Sequence, residues 1–522
     1  MTAAESILRT AAEAGVEICF ANPGTTEMAL VAALDRVPEI RPVLGLFEGV
    51  CTGAADGYGR MSGKPALTLL HLGPGFANGI ANLHNARRAR TPLINLIGDQ
   101  ASWHLAHDAP LTSDIASLAR PVSGFFRSCQ SASAAAGDMA AALAAARSGP
   151  GSIATLVLPA DFQEGEDGGP AACPETTPAE KVSPARIEAI AQFLREDPHP
   201  ISLLLGGSGL CERALLAAGR IASQHPIRLV AETFPARWER GRGLPRVERL
   251  PYLPEQATAY LEEDRALLLA GSRSPVSFFG YSNLPSEIAG SLERQVLATP
   301  DEDVAQALED LAEALHAAST PGHAPLPEAA AGEGAGLPEP QAGPLDPVKL
   351  GLTLARHLPE NAILSEEAAT SGLPFYHFSE NSPRHTVLAL TGGAIGQGLP
   401  CATGAALACP ERPVIAFQAD GSGMYTLQAL WTQARENLNV TTLLCSNRAY
   451  RILQIELGRA GISEPGPGAL GMTSLDNPAL DWVALARGCG VPGTRVTTAE
   501  ELETALPRAL TENGPHLIEA LL

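Results

Sequence analysis

The chain has 522 residues, too many for one ordinary hydrophobic core, so two to four domains are expected, each with ample apolar surface to bury. Asp+Glu 57 against Lys+Arg 36 gives a formal net charge of −21, a balance that repels phosphate backbones, argues against nucleic acid and favours a small diffusible substrate. No apolar run approaches the roughly 18 residues that cross a membrane, and nine scattered cysteines read as free thiols of a reducing compartment, so the cytoplasm is the expected location.

The opening "MTAAESILRTAAEAG" is an amphipathic helix start, not a basic region followed by a hydrophobic export signal. In "LGLFEGVCTGAADGYGR", Glu48 ends an apolar run and precedes a helix of small residues that other segments can approach closely. A carboxylate placed there is expected to be desolvated, although a lone Glu also reads as a helix cap or a surface group. "PALTLLHLGPGFANGIANLHNARRARTPLINLIGDQ" then runs strand, Gly-rich loop, helix, strand. Periodicity is lost over 164–183 and again over 319–344, where Pro, Gly, Ala and acidic residues accumulate, and both stretches read as linkers. They leave blocks 1–163, 184–318 and 345–522. The middle block alternates apolar runs such as "ISLLLGG", "IRLVAE" and "ALLLAGS" with helical patterns. The expected fold class is therefore α/β, with three open, mainly parallel-sheet domains.

In the third block, "ILSEEAATSG" ends a strand and "ALTGGAIGQGLPCATGAAL" is Gly-rich, then apolar, as in a tight strand-to-helix turn. "VIAFQADGSGMYTLQALWTQARENLNVTTLLCSNRAY" repeats the strand, loop, helix, strand layout of the first block, a weak internal repeat. Two such domains offer crevices at their strand C-termini, and a cofactor could lie between one crevice of each. Asp420 sits between an apolar run and the glycines Gly421 and Gly423, and Ser422 opens the following helix, whose amide groups would face an anion. Oxygens from Asp420, Asn447 and the backbone of Ala449 suit Mg²⁺, with phosphate and water completing the octahedron. Read singly, Asp420 is equally a helix cap and Asn447 a turn former.

"ADGS" followed by "SN" resembles the GDG…NN signature of thiamine diphosphate (ThDP) dependent enzymes of the decarboxylase and acetolactate synthase superfamily. The order of the three blocks also resembles that superfamily's pyrimidine-binding, central and diphosphate-binding domains, so the resemblance spans nearly the whole chain. Ala419 stands where the pattern has Gly and Ser446 where it has the first Asn, but Asp420 and Asn447 are retained. The resemblance implies ThDP and Mg²⁺ as cofactors. It makes Glu48 the carboxylate that bonds the aminopyrimidine N1′ and promotes loss of the thiazolium C2 proton. It makes Ile395 the apolar wedge under the bent cofactor, with Gly393 and Ala394 contacting the pyrimidine through their backbone. Ala368, Ala369, Gly421, Ser422, Tyr425 and Tyr450 are implied as further cofactor contacts. Active sites of the family pair block one of one chain with block three of another, which implies a homodimer or homotetramer.

"FANPGTTEMAL" and "LLHLGPGFANG" most resemble benzoylformate decarboxylase, which implies that Thr25 binds a 2-oxo acid carboxylate and that His71 moves protons. On their own, Thr25 reads also as a helix cap and His71 as a core histidine. The branch's central-domain His has no counterpart in "SRSPVSFFGYSNLPSE", where Phe278, Phe279 and Gly280 fall, and His107 or His104 is the candidate replacement. Leu453 takes the place of a Glu found in pyruvate-decarboxylase-like relatives. Decarboxylase or carboligase, acetolactate-synthase-like carboligase, and a noncatalytic ThDP-binding protein are the three functions compatible with this pattern.

Overall fold

The computed structural model describes residues 1–317 and 337–522, so most of the expected second linker, and the final residue of the expected middle block, lie outside the described residues. The first block holds strands β1 (Ile18–Asn22), β2 (Arg41–Leu44), β3 (Ala66–Leu70), β4 (Leu93–Asp99), β5 (Phe125–Ser128) and β6 (Ile153–Pro159). The middle block holds β7 (Ile201–Leu205), β8 (Ile227–Ala231), β9 (Trp238–Arg240), β10 (Glu248–Arg249), β11 (Ala266–Ala270) and β12 (Glu293–Ala298). The third holds β13 (Ala362–Glu367), β14 (His385–Ala389), β15 (Val414–Ala419), β16 (Val440–Ser446), β17 (Gly493–Val496) and β18 (His516–Leu521).

The chain divides into two compact units, and the first and third blocks fall mainly in one of them: Met1–Thr177 with Pro338–His377 and Leu390–Leu522. Its first sheet is parallel, in the order β2-β1-β3-β4-β6-β5. Its second sheet includes the parallel run β13-β15-β16-β18-β17. That run repeats β1-β3-β4-β6-β5 strand for strand, so the internal repeat seen in the sequence is a repeat of topology. Sequences such as "ALTLL" and "VTTLLCS" are buried at every position because helices cover both faces of a parallel sheet. The other unit, Pro178–Leu337 with Phe378–Ala389, carries the parallel sheet β10-β8-β7-β11-β12 and the antiparallel pair β9 and β14. Among the described residues no helix is long and apolar enough to cross a membrane, and all nine cysteines are free.

Small residues explain how the first and third blocks join. The Glu48–Ser62 helix is buried along almost its whole length and packs on the Gly398–Ala408 helix. A methyl group at Gly57 would be driven into the Cys401 carbonyl, and one at Gly404 into the Ala54 carbonyl. Backbone cannot step aside as a flexible side chain can. Gly57→Ala is therefore expected to lower stability by about 1–3 kcal/mol through overpacking, more than the roughly 1 kcal/mol of helix propensity that alanine returns. Thermal unfolding checks this; a Tm at or above that of the unaltered protein would mean the helices part freely.

Candidate active site

In the first block the candidate residues collect at the C-terminal ends of three adjacent strands. Glu48 begins its helix shortly after β2, Thr25, Thr26 and Glu27 follow β1, and His71 follows β3. Glu48 is 9% exposed, and its Oε2 accepts from Asn78 Nδ2 at 3.0 Å. Gly75 lies between Glu48 and His71: a methyl group there would sit 3.0 Å from the carboxylate and 3.3 Å from the imidazole Cβ. The sequence-predicted Glu48 and His71 are thus brought together, and the glycine leaves room between them.

His71 is oriented by Glu27, a residue the sequence reading did not single out. The Glu27 carboxylate is fully buried and lies 2.8 Å from His71 Nδ1, while also accepting from the Gly24 amide at 2.8 Å and the Thr26 hydroxyl at 2.7 Å. A carboxylate acceptor at Nδ1 holds a proton there and leaves Nε2, on the far side of the ring, as the nitrogen that can accept one. Any side chain at Gly24 would collide with the imidazole. Thr25 is exposed, and it is the neighbouring Thr26 whose hydroxyl comes within 3.3 Å of His71 Nδ1. Nothing local in the sequence marks Glu27, because its partner lies 44 positions away.

His107 is placed differently. It lies in an exposed turn after β4, its ring 5.5 Å from that of His104, which in turn meets Trp103. No described contact joins it to Glu27 or His71. In the other unit Phe278 and Phe279 are exposed and form an aromatic cluster with Phe234 and Tyr252.

In the third block the same geometry recurs. Ala368 and Ala369 follow β13, Asp420 to Ser422 follow β15, and Asn447 follows β16, three neighbouring strand ends. Asp420 is 2% exposed. Its oxygens accept from the amides of Gly421 at 2.8 Å and Arg448 at 2.7 Å. Burial pushes its carboxyl up, those amides pull it down, and no cation among the described residues offsets the desolvation. Asn447 Oδ1 accepts from the Ala449 amide at 3.0 Å, in a turn where Arg448 is left-handed with φ +54°. A buried carboxylate without a cationic partner, bonded to the amide of the residue after Asn447, suits a hard divalent ion, and the Asn447 amide oxygen and Ala449 carbonyl are the further oxygens that would fit Mg²⁺. Among the described residues there is no group of three His, Cys, Asp or Glu, so the remaining ligands would have to be neutral oxygens, water or phosphate.

Around this point Ser422 is buried and bonded to Gln418, and Tyr450 packs its ring on Gly421. The phenol of Tyr450 is raised chiefly by burial and next by the neighbouring Tyr425. Ala369 has φ +50°, and Leu72, which follows His71, has φ +51°. Left-handed backbone at a residue other than glycine is costly, and here it recurs at Leu72, Ala369 and Arg448, all in candidate-site loops. The turn Gly393 to Ile395 is held by first-block asparagines: Asn85 binds both the carbonyl of Ala394 at 2.7 Å and its amide at 3.2 Å. Asn82 Nδ2 donates to the carbonyl of Gly49 at 2.8 Å and to that of Gly396 at 3.2 Å, linking the Glu48 helix directly to this turn. Asn78, Asn82 and Asn85 were missed in the sequence because only their i, i+3 and i, i+4 spacing marks them as one helix face.

Two family models match the chain: "Thiamine pyrophosphate enzyme, N-terminal TPP binding domain" over residues 1–118 and "Thiamine pyrophosphate enzyme, C-terminal TPP binding domain" over residues 370–520. The chain belongs to the thiamine pyrophosphate enzyme family. Within it, the chain is 47% identical to "Putative acetolactate synthase large subunit IlvX" of Mycobacterium tuberculosis, over 100% of this chain and 99% of the other. It is 30% identical to benzoylformate decarboxylase of Pseudomonas aeruginosa, over 97% of this chain and 96% of that one. Among solved structures it is similar to the ThDP-dependent 4-hydroxybenzoylformate decarboxylase of Rhodococcus jostii RHA1, with a TM-score of 0.84, 25% identity, and coverage of 99% and 98%. The two matched segments of this thiamine pyrophosphate enzyme contain the two clusters just described, Glu27–Glu48–His71 and Asp420–Asn447.

Proposed function

We propose that this chain is a ThDP- and Mg²⁺-dependent, non-oxidative 2-oxo acid decarboxylase or carboligase. The observation that carries the reading is the pairing of half-buried His71 with the buried Glu27 carboxylate beside Glu48, a set suited to proton handling at the strand ends of the first block. ThDP, when bound, supplies the nucleophilic carbon and the electron sink for loss of CO₂. Glu48 would hold a proton for the aminopyrimidine ring, Gly393, Ala394 and Ile395 would contact that ring from their turn, and Asp420, Asn447 and the Ala449 carbonyl would hold the metal. Ala368, Ala369, Gly421, Ser422, Tyr425 and Tyr450 would hold the diphosphate. His71, fixed through Nδ1, presents Nε2 for proton transfer to or from substrate, and exposed Thr25 offers a hydroxyl to its carboxylate. His107 is retained as a second proton donor carried on an exposed turn.

Acetolactate-synthase-like carboligation is the second reading, favoured by the full-length likeness to IlvX. A homodimer or homotetramer in the cytoplasm completes the proposal, with the first block of one chain facing the third block of another.

Purified protein given ThDP, Mg²⁺ and a panel of aryl and alkyl 2-oxo acids is expected to release CO₂ from at least one of them. Acetolactate as the dominant product from pyruvate would select the second reading. A panel without turnover, despite bound ThDP, would reject both in favour of a noncatalytic role.

A further inference from the structure

The turn that carries Ile395 rests on a buried acid outside the set named so far. Glu367, the last residue of β13, is 3% exposed. Its Oε1 accepts from the amides of Gly396 at 2.7 Å and Gln397 at 3.2 Å, and its Oε2 from the Gly398 amide and Gln418 Nε2, both at 2.8 Å. Gly398 begins the Gly398–Ala408 helix, so the carboxylate caps that helix from a separate strand. Desolvation raises its carboxyl, and the four N–H donors oppose that shift. Gln418 passes the contact on, donating to Ser422 Oγ at 2.7 Å.

The backbone is shaped for this arrangement. Gly396 has φ +99°, and a methyl group at Gly398 would lie 2.9 Å from Glu367 Oε2. From the opposite side, Gln397 Oε1 accepts from Arg60 at 3.2 Å, and Arg60 is itself paired with buried Asp56. An apolar residue could fill the same volume without the cost of burying a charge, so the gain must lie in fixing three consecutive amides in one geometry.

We propose that Glu367 is a positioning residue for the cofactor: it sets the Gly393–Gly398 turn, and hence Ile395, and through Gln418 ties that turn to Ser422 of the diphosphate loop. The proposal rests on the ThDP reading above. Its test uses the full chain, as unaltered protein and as Glu367→Gln and Gln418→Met. ThDP is titrated at saturating Mg²⁺ and followed by tryptophan fluorescence, since fully buried Trp482 packs against Gly423. Exchange of the ThDP C2 proton is then read by NMR at saturating cofactor.

Glu367→Gln, which puts an NH₂ group opposite an amide, is expected to weaken ThDP binding and to slow C2 exchange by at least about tenfold each, the scale of one lost charge-assisted hydrogen bond. Gln418→Met, which removes the link to Ser422 and one of Glu367's four donors but leaves the three turn amides on the carboxylate, is expected to weaken binding while C2 exchange stays near that of the unaltered protein. A folded Glu367→Gln protein with unchanged affinity and exchange overturns the proposal. So does one that only melts earlier, because that is the behaviour of a cap alone. If Glu367→Gln fails to fold, unchanged ThDP affinity in Gln418→Met overturns it. Failure of the unaltered protein to bind ThDP is a separate outcome: it removes the cofactor reading, and the proposal with it, before any variant is compared.

Discussion

Glu48→Gln is expected to cut turnover at saturating ThDP and Mg²⁺ by about 10²-fold or more, the usual scale of a positioned general acid or base. Gln is isosteric, and its carbonyl can still accept from Asn78, so the helix start and the buried packing at Gly49, Gly53 and Gly57 stay in place. What is lost is the ability to exchange a proton at this position. The effect should therefore fall on kcat, with ThDP affinity changing far less. Steady-state kinetics on whichever 2-oxo acid is turned over, paired with a ThDP titration, separates the two. A variant as active as the unaltered protein would remove Glu48 from the chemistry, whatever the substrate.

The second large effect is expected at Asp420. Asp420→Ala removes a buried charge that has no cationic partner among the described residues, along with two bonds from the Gly421 and Arg448 amides. Two lost hydrogen bonds cost about 1–3 kcal/mol, and relief of the desolvated carboxylate returns a similar amount, so the cofactor-free protein should melt close to its original temperature. The stabilisation added by ligands should vanish. A ligand at a hundred times its Kd adds about 2.7 kcal/mol, so the rise in Tm on adding ThDP with Mg²⁺ should be plain in the unaltered protein and absent in the variant. The sign with pH follows from burial. Metal binds the ionised carboxylate, and a raised Asp420 takes up its proton at higher pH than an ordinary aspartate. Metal affinity should then weaken as pH falls, beginning above the usual aspartate range. An unchanged ThDP-dependent Tm rise in Asp420→Ala would refute the metal assignment.

Much of the candidate site was legible in the sequence because its residues sit where apolar runs end. Glu48, His71, Asp420 and Asn447 each close or follow a strand-like run, and parallel sheets put all such ends on one side. The repeat of strand, glycine loop, helix and strand gave the class of fold for the same reason. What could not be read were the partners. Glu27 holds His71 across 44 positions, and Arg60 reaches Gln397 across 337. Such pairs depend on which strands lie side by side and how two helices cross, and no local period encodes that. Glu367 was hidden differently: the stretch around it was read for its backbone amides at Ala368 and Ala369, while the acid at the strand end faces inward. Thr26 marks a third limit: its hydroxyl comes within reach of His71 Nδ1, and nothing local in two adjacent threonines shows which of them will do so.

The shared strand order of the two sheets assigns each site residue an address. His71 follows β3 and Asp420 follows β15, the matching strand of the other sheet; Asp99 closes β4, and Asn447 comes just after its counterpart β16. An imidazole proposed to move protons and a carboxylate proposed to hold a metal thus occupy equivalent stations on two copies of one frame. The division of labour between the halves is written in the few residues beyond each strand, and the frame itself is indifferent to which chemistry it carries.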